Sequence, residues 1–277
     1  MNLTIDNYHS AEANRAFLSV SQARRFRECE AMTIAELNGW KSCKDESDAL
    51  LIGSRVDCAL LTPDRFAAWD EAHAADMVSA KTQKPYAWVK TSDMLIARAK
   101  RDATFMRWLA GDHQVIIIMD LYGAQWKCAL DIVDSTVGIE ADLKTLPSAE
   151  FDEWDAKVGK RLPWYDKYFP QRAVYREAYK VKYGKYPAAQ FLFGITKQEP
   201  PDLLAVVFNE RHETRFAFEL DAIQAATPRW LALKAGTEKP TMCGTCEYCR
   251  GAKVLTDNDL IEARDWKTEN KHFRGLE

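Results

Sequence analysis

The stretch Gln125 to Leu146, QWKCALDIVDSTVGIEADLKTL, sets Asp131 in one run of alternating apolar residues, and Asp142 and Lys144 in the next. Two carboxylates beside an ammonium could hold a divalent cation and orient a water against a phosphate. Leu130, Ile132 and the Ile139-Ala141-Leu143 set alternate with Lys127, Asp131, Glu140, Asp142 and Lys144. That period-two pattern marks strands with one buried face, and it points Asp142 and Lys144 the same way. The plain alternative is a solvated strand face, where Asp, Glu and Lys are routine.

A third acid, Asp57, lies in the apolar segment Ala49 to Leu61, ALLIGSRVDCALL, which reads as a helix capped by Asp48 and ended by Pro63. A buried carboxylate without a partner is costly, so Asp57 needs a salt bridge to Arg55 or a neighbour, or else a metal. If the three acids converge, their repulsion raises at least one pKa unless a cation neutralises them. Hard oxygen donors favour Mg²⁺ or Mn²⁺ over zinc.

Further along, Gln171 and Tyr175 fall on one face of a helix over 170–183, with Pro170 in its first turn and Gly184 as its stop. Arg172, Arg176 and Lys180 line a neighbouring face. Basic and tyrosine residues interleave in YFPQRAVYREAYKVKYGKYP. This suits a groove that follows a nucleic-acid backbone, and equally a helix with a solvated basic face. Cys243, Cys246 and Cys249 stand at metal-ligand spacing. A ferredoxin-like run would put its fourth cysteine at Lys253, and the first gap is too short for a radical-SAM signature. A fourth ligand must come from elsewhere. Cys43, Cys58 and Cys128 read as small buried residues.

Positioning these residues takes a helix over 10–38, the helix carrying Asp57, a short helix over 64–73, a loop over 79–85, and a helix over 91–110. Strands follow at 114–121, 125–133 and 137–145, joined by turns tight enough for an antiparallel meander. A polar loop over 147–163 contains Trp154, Lys157, Lys160 and Arg161. The 170–183 helix, strands at 188–195 and 202–208, and a helix over 219–235 bent or restarted at Pro228 complete the order. This is an α/β chain: a central mixed sheet flanked by helices, with helical additions at its N-terminus. It reads as a single domain over 1–254 (helical region 1–112, core 113–210, C-terminal helix and cysteines 211–254), with a charged, partly disordered tail over 255–277.

With 277 residues the chain can bury one large core or two modest ones. Its net charge of −3 gives no global attraction to nucleic acid, so any such binding needs a local basic surface. Seven cysteines without an export signal argue against a disulfide framework, and a cytoplasmic location is expected. No apolar run is long enough to span a bilayer. A phosphate-binding Gly-x-x-x-x-Gly-Lys-Ser/Thr loop and a Gly-x-Ser-x-Gly elbow are both missing, which speaks against an ATPase and a serine hydrolase.

Asp131, then Asp142-Leu143-Lys144, then Gln171-x-x-x-Tyr175, in that order, resembles the PD-(D/E)xK nuclease superfamily. More narrowly, it is similar to the RecB-type and exonuclease VIII (RecE-like) branch and its prophage-type subgroup. That branch's upstream Gly-x-x-x-His helix is matched at Gly53, while Asp57 stands where histidine is usual. The resemblance implies a restriction-endonuclease-like core. It implies a metal shell of Asp57, Asp131, Asp142 and the Leu143 carbonyl, with Lys144 catalytic and Gln171 and Tyr175 positioning DNA and the site. The activity implied is a Mg²⁺- or Mn²⁺-dependent DNA exonuclease of phage or prophage recombination, acting on double-stranded ends. Its setting would include a single-strand annealing protein and an oligomeric form. The alternatives are a non-catalytic DNA-binding or scaffold module, an endonuclease and an RNA-directed nuclease. Some RecB-type nucleases carry one early and three late cysteines around a 4Fe-4S cluster. By that resemblance Cys29 joins Cys243, Cys246 and Cys249, with Zn²⁺ as the alternative occupant.

Overall fold

The computed structural model describes residues 1–42, 48–148, 152–155 (backbone only), 159–257, 260 and 263. Cys43, Lys157, the Trp154 side chain and nearly all of the charged tail lie outside the described residues.

Apolar residues at helical spacing form α1 (Ala11–Ala16), α2 (Val20–Glu28), α3 (Glu30–Leu37) and α4 (Asp48–Leu61). The shorter α5 (Phe66–Ala72) and α6 (Ala74–Met77) lead to α7 (Ala87–Arg101) and α8 (Ala103–Trp108). The strands β1 (Asp112–Leu121), β2 (Ala124–Asp134) and β3 (Ile139–Leu146) follow, then a small ribbon of β4 (Asp152–Asp155) and β5 (Lys160–Pro163). After α9 (Phe169–Tyr183) come β6 (Ala189–Thr196), β7 (Leu203–Phe208), α10 (Glu213–Ala235) and α11 (Glu247–Gly251).

The main sheet has the order β1-β2-β3-β6-β7. Its first three strands form the expected antiparallel meander; α9 crosses over so that β6 joins β3 in parallel, and β7 returns antiparallel. Helices cover both faces. Ile132, Ala141, Leu143, Phe193 and Ile195 pack with residues of α4, α7 and α8. Trp126, Cys128 and Leu130 pack with Val174, Ala178, Ile223 and Trp230 of α9 and α10. This is the restriction-endonuclease-like α/β arrangement.

Four expectations need correction. The helix over 10–38 is three helices, because Ser19 and Cys29 adopt extended backbone and cap α2 and α3 with their side chains. Leu18, between α1 and α2, hydrogen-bonds through its backbone to Gln125 and Lys127, joining the first strand pair as a bridge. The helix over 91–110 starts earlier, at Ala87, and breaks at Asp102, whose carboxylate accepts the Phe105 N–H at 3.0 Å. The loop over 147–163 contains the β4–β5 ribbon. Finally, α10 begins at Glu213 and runs through Pro228 as one element.

Two lysines pin the N-terminal segment to this core. Lys127 is fully buried; it donates to Asn14 Oδ1 at 2.7 Å and to the Tyr8 carbonyl. Lys234 of α10 donates to the Asn14 and Phe17 carbonyls at 3.0 and 2.7 Å. No carboxylate pairs with Lys127 among the described residues, and burial lowers its pKa from 10.5 to about 8. The unfolded chain therefore binds more protons between those values, so folding gains stability as pH rises through the window. In urea unfolding, the stability of the native protein relative to Lys127→Met should increase from pH 8 to pH 10. A difference independent of pH would contradict this account of Lys127.

Candidate active site

The site opens where two strands part. β2 and β3 pair at Asp134–Ile139, Val133–Glu140 and Ile132–Ala141, and the pairing ends there. One residue further along β2 is Asp131; one further along β3 is Asp142. The Leu143 N–H, beyond the last paired residue, is bonded instead by Asp131 Oδ2 at 3.2 Å. The carboxylate thus replaces a strand partner, meeting the requirement that a buried amide be satisfied. Its other oxygen accepts from Gln114 Nε2 at 3.4 Å.

Asp142 is buried at 1% exposure, so the polar face of β3 is not a solvated one. Its Oδ1 accepts from Gln171 Nε2 at 2.8 Å and lies 3.2 Å from Arg172 Nη2. Its Oδ2 forms an ion pair with Lys144, whose ammonium is 3.9 Å from Asp131 Oδ2. Behind this set, Arg172 Nη1 donates to both oxygens of Glu140 at 3.0 and 2.9 Å, and Gln190 Nε2 donates to Glu140 Oε2 at 2.8 Å. Arg172 and Glu140 are both completely buried. Arg172 therefore does not belong to an exposed basic face. Arg176 is also engaged, through Nη1 and Nη2, with Glu213.

Asp57 approaches from α4. Arg55 does not pair with it: Arg55 turns to Asp70 at 2.8 Å and Asp93 at 2.6 Å. Among the described residues Asp57 has no hydrogen-bond or ion-pair partner, and it lines the same cavity as Asp131, Asp142, Lys144, Gln171 and Tyr175, of about 470 Å³. Leu143 is buried beside the set. The side chains of Asp57, Asp131, Asp142, Lys144, Gln171 and Tyr175 thus share one cavity, with the three acids spread more widely than the sulfurs of Cys29, Cys243, Cys246 and Cys249. Glu140, Arg172 and Gln114 are additions; the signal for Glu140 was its parity with Asp142 on β3, and for Arg172 its place next to Gln171.

Charge decides what this centre can hold. Asp57, Asp131, Glu140 and Asp142 are opposed by Lys144 and Arg172, a net of −2 if all are ionised. Burial, then repulsion from Asp142, pushes Asp131 up to about 7. Burial and the charge of Asp131 raise Asp57 well above the carboxylate range. Burial opposes ionisation of Asp142 too, but Lys144 and Arg172 outweigh it and hold its pKa low. Lys144 is raised, since Asp142, Asp131 and Asp57 outweigh the effect of its burial. An all-oxygen donor set with two uncompensated negative charges matches a hard divalent cation.

A second centre lies where the start of α3 meets the segment leading into α11. The sulfurs of Cys29, Cys243, Cys246 and Cys249 lie within 4.8 Å of one another, and among the described residues no other group of acids, histidines or cysteines is gathered so closely. Backbone N–H groups of Met32, Cys246 and Cys249 point at Cys29, Cys243 and Cys246. The backbone N–H groups of Thr245 and Cys246, with the Thr245 hydroxyl, lower Cys243 to about 6. Arg229 ties Glu30 at 2.7 Å, and the Thr241 N–H donates to Glu30 at 2.8 Å, so side chains already hold the junction. Cys128 is buried as expected, while Cys58 is only half-buried.

The sequence matches a family model described as a PDDEXK-like domain of unknown function (DUF3799) over residues 19–252. The chain belongs to this family. A crystal structure of a Eubacterium rectale protein, provisionally described as an exonuclease, is similar over 100% of both chains at 29% identity, with a TM-score of 0.83. No curated protein matches the sequence significantly. Family and neighbour together support a nuclease. No helix among the described residues is long and apolar enough to cross a membrane.

The buried ion pair makes a direct prediction. Arg172→Met leaves Glu140 without its cation, and losing one partner of a buried pair typically costs about 3–5 kcal/mol. Urea denaturation should show a loss of that order; a variant as stable as the parent would show that Glu140 is satisfied without Arg172.

Proposed function

We propose that the protein is a metal-dependent deoxyribonuclease that hydrolyses phosphodiester bonds, acting as an exonuclease on double-stranded ends. The observation that carries this reading is the convergence of Asp57, Asp131, Asp142 and Lys144 on one cavity. Asp57, Asp131, Asp142 and the Leu143 carbonyl would hold Mg²⁺ or Mn²⁺. When bound, the ion would polarise a phosphoryl oxygen and acidify the attacking water. Lys144 orients that water and offsets the negative charge that grows on the phosphate. Gln171 fixes the rotamer of Asp142 through its 2.8 Å hydrogen bond, and Tyr175 walls the cavity beside it. Arg24, Arg27 and Lys167 line the same cavity and supply a local positive surface for DNA phosphates. The preference for ends over internal sites is supported by the provisional description of the Eubacterium rectale neighbour. A place in phage or prophage recombination rests on the family resemblance alone.

Asp142→Asn and Lys144→Ala should each abolish Mg²⁺-dependent cleavage of linear duplex DNA, a loss of at least about a hundredfold, the scale set by removing one electrostatic stabiliser. Undiminished activity in either purified, folded variant would remove these residues from the mechanism.

For the cysteine centre we propose a structural metal that ties α3 to the C-terminal segment. A tetrahedral Zn²⁺ with Zn–S bonds of about 2.3 Å suits the close spacing of the four sulfurs as it stands. The 4Fe-4S cluster that the resemblance implies requires the sulfurs to move apart. Metal analysis should find about one zinc ion per chain in colourless protein, lost in Cys29→Ser. Brown protein absorbing near 400 nm would assign the cluster instead, and protein without either metal would refute a metal centre.

A further inference from the structure

A second cavity, of about 830 Å³, lies on the far side of Asp57. It shares His9, Asp57 and Gln114 with the cavity of the acidic centre, so the two form one continuous groove with the acids at the junction. The halves differ in chemistry. Arg24, Arg27, Lys144 and Lys167 line the first; Arg24 pairs with Glu28, Arg27 with Glu219 and Lys144 with Asp142, so this half is richer in cations without being free of acids. The second is walled by Leu50, Ala68, Trp69, Ala72 and His73, and among the described residues its one lysine or arginine, Arg65, is paired with Asp6. Within it, Trp69 and His73 are stacked, with ring centroids 3.9 Å apart and planes 14° from parallel. His73 Nδ1 lies 2.8 Å from the Trp69 carbonyl, which locks the pair in place.

We propose that this second cavity receives the unpaired terminal nucleotides of the strand being cut, with a base stacked against the Trp69–His73 pair. The inference rests on the nuclease reading above and adds a base-binding subsite to it. A cationic half suits the phosphate backbone, whereas an apolar half with a prealigned aromatic pair suits bases, whose faces stack without regard to sequence. The volume lies within the range of about 300–1,000 Å³ that accommodates a compact organic ligand. A base inside a duplex is already stacked on both faces, so whatever meets Trp69 must have left the helix. The scissile phosphate then sits at the junction, between a duplex held by cations and a frayed terminus held by stacking. This geometry favours an end over an internal site.

The test uses the full-length protein with Mg²⁺ and a duplex ending in two unpaired nucleotides, one of them 2-aminopurine. Trp69→Ala should lower kcat/KM by about fivefold to a hundredfold, the range expected for losing one base–aromatic stack, and Trp69→Phe should restore most of it. The 2-aminopurine fluorescence should be quenched by the native protein and not by Trp69→Ala. With abasic terminal residues, native and Trp69→Ala proteins should cleave equally, whereas a merely structural role for Trp69 would slow both substrates alike. Leu50→Glu, at an exposed rim position, provides a second variant if Trp69→Ala fails to fold; it should weaken end binding by placing a negative charge beside the strand. Equal kcat/KM and equal quenching in native and variant proteins would overturn the subsite while leaving the nuclease reading intact. Failure of the native protein to cleave any DNA with Mg²⁺ or Mn²⁺ would overturn the nuclease reading, and the quenching experiment would still decide the subsite.

Discussion

Four carboxylates, Asp57, Asp131, Glu140 and Asp142, lie in or just behind one sheltered pocket with Lys144 and Arg172 set among them, and most of the architecture follows from that imbalance. Ionised carboxylates away from water need compensation by opposite charge or by donors. Arg172 donates from Nη1 to both oxygens of Glu140 and makes a second contact to Asp142; Lys144 supplies the other positive charge. Helix α9 must therefore pack so that Arg172 reaches the polar face of β3, and Gln171, its neighbour in sequence, arrives at Asp142 by the same placement. Asp57 and Asp131 absorb the remaining imbalance through raised pKa values, a response that a divalent cation would reverse.

The backbone makes room for this chemistry by ending one strand pairing early. Parting β2 from β3 after Ile132–Ala141 leaves an amide to be satisfied, and Asp131 does so with a side chain that also faces the cavity. The parallel pairing of β3 with β6 continues past Lys144 to Leu146, so the Asp142–Lys144 segment is held rigidly from its other edge. One strand is thus fixed while its neighbour diverges, a combination that opens a cleft without loosening the residues that line it. The same cleft continues past Asp57 towards Trp69, so the acidic centre lies within a longer groove.

Much of this was legible in sequence because strand alternation is local. Asp131, Asp142 and Lys144 could be placed on strand faces from period-two patterning, and Gln171 and Tyr175 on one helix face from their spacing. What covers a strand's polar face is not local. Arg172 resembles Arg176 and Lys180 in the linear pattern, yet the rotation of α9 buries it completely, and only tertiary packing sets that rotation. The helix breaks at Ser19 and Cys29 were hidden for a related reason: their side chains cap the following helices, and neither break involves glycine or proline. Proximity in sequence suggests Asp57 as the partner of Arg55, whereas the actual partners, Asp70 and Asp93, come from other helices.

The claim that a divalent ion completes the acidic centre can be measured without a substrate. In calorimetric titration, Mn²⁺ should bind the native protein with release of protons, because Asp131 and Asp57 carry raised pKa values and must ionise to act as ligands. Asp142→Asn should lose that binding while the cysteine centre keeps its metal. Equal Mn²⁺ binding by native protein and Asp142→Asn, or none by either, would contradict the account.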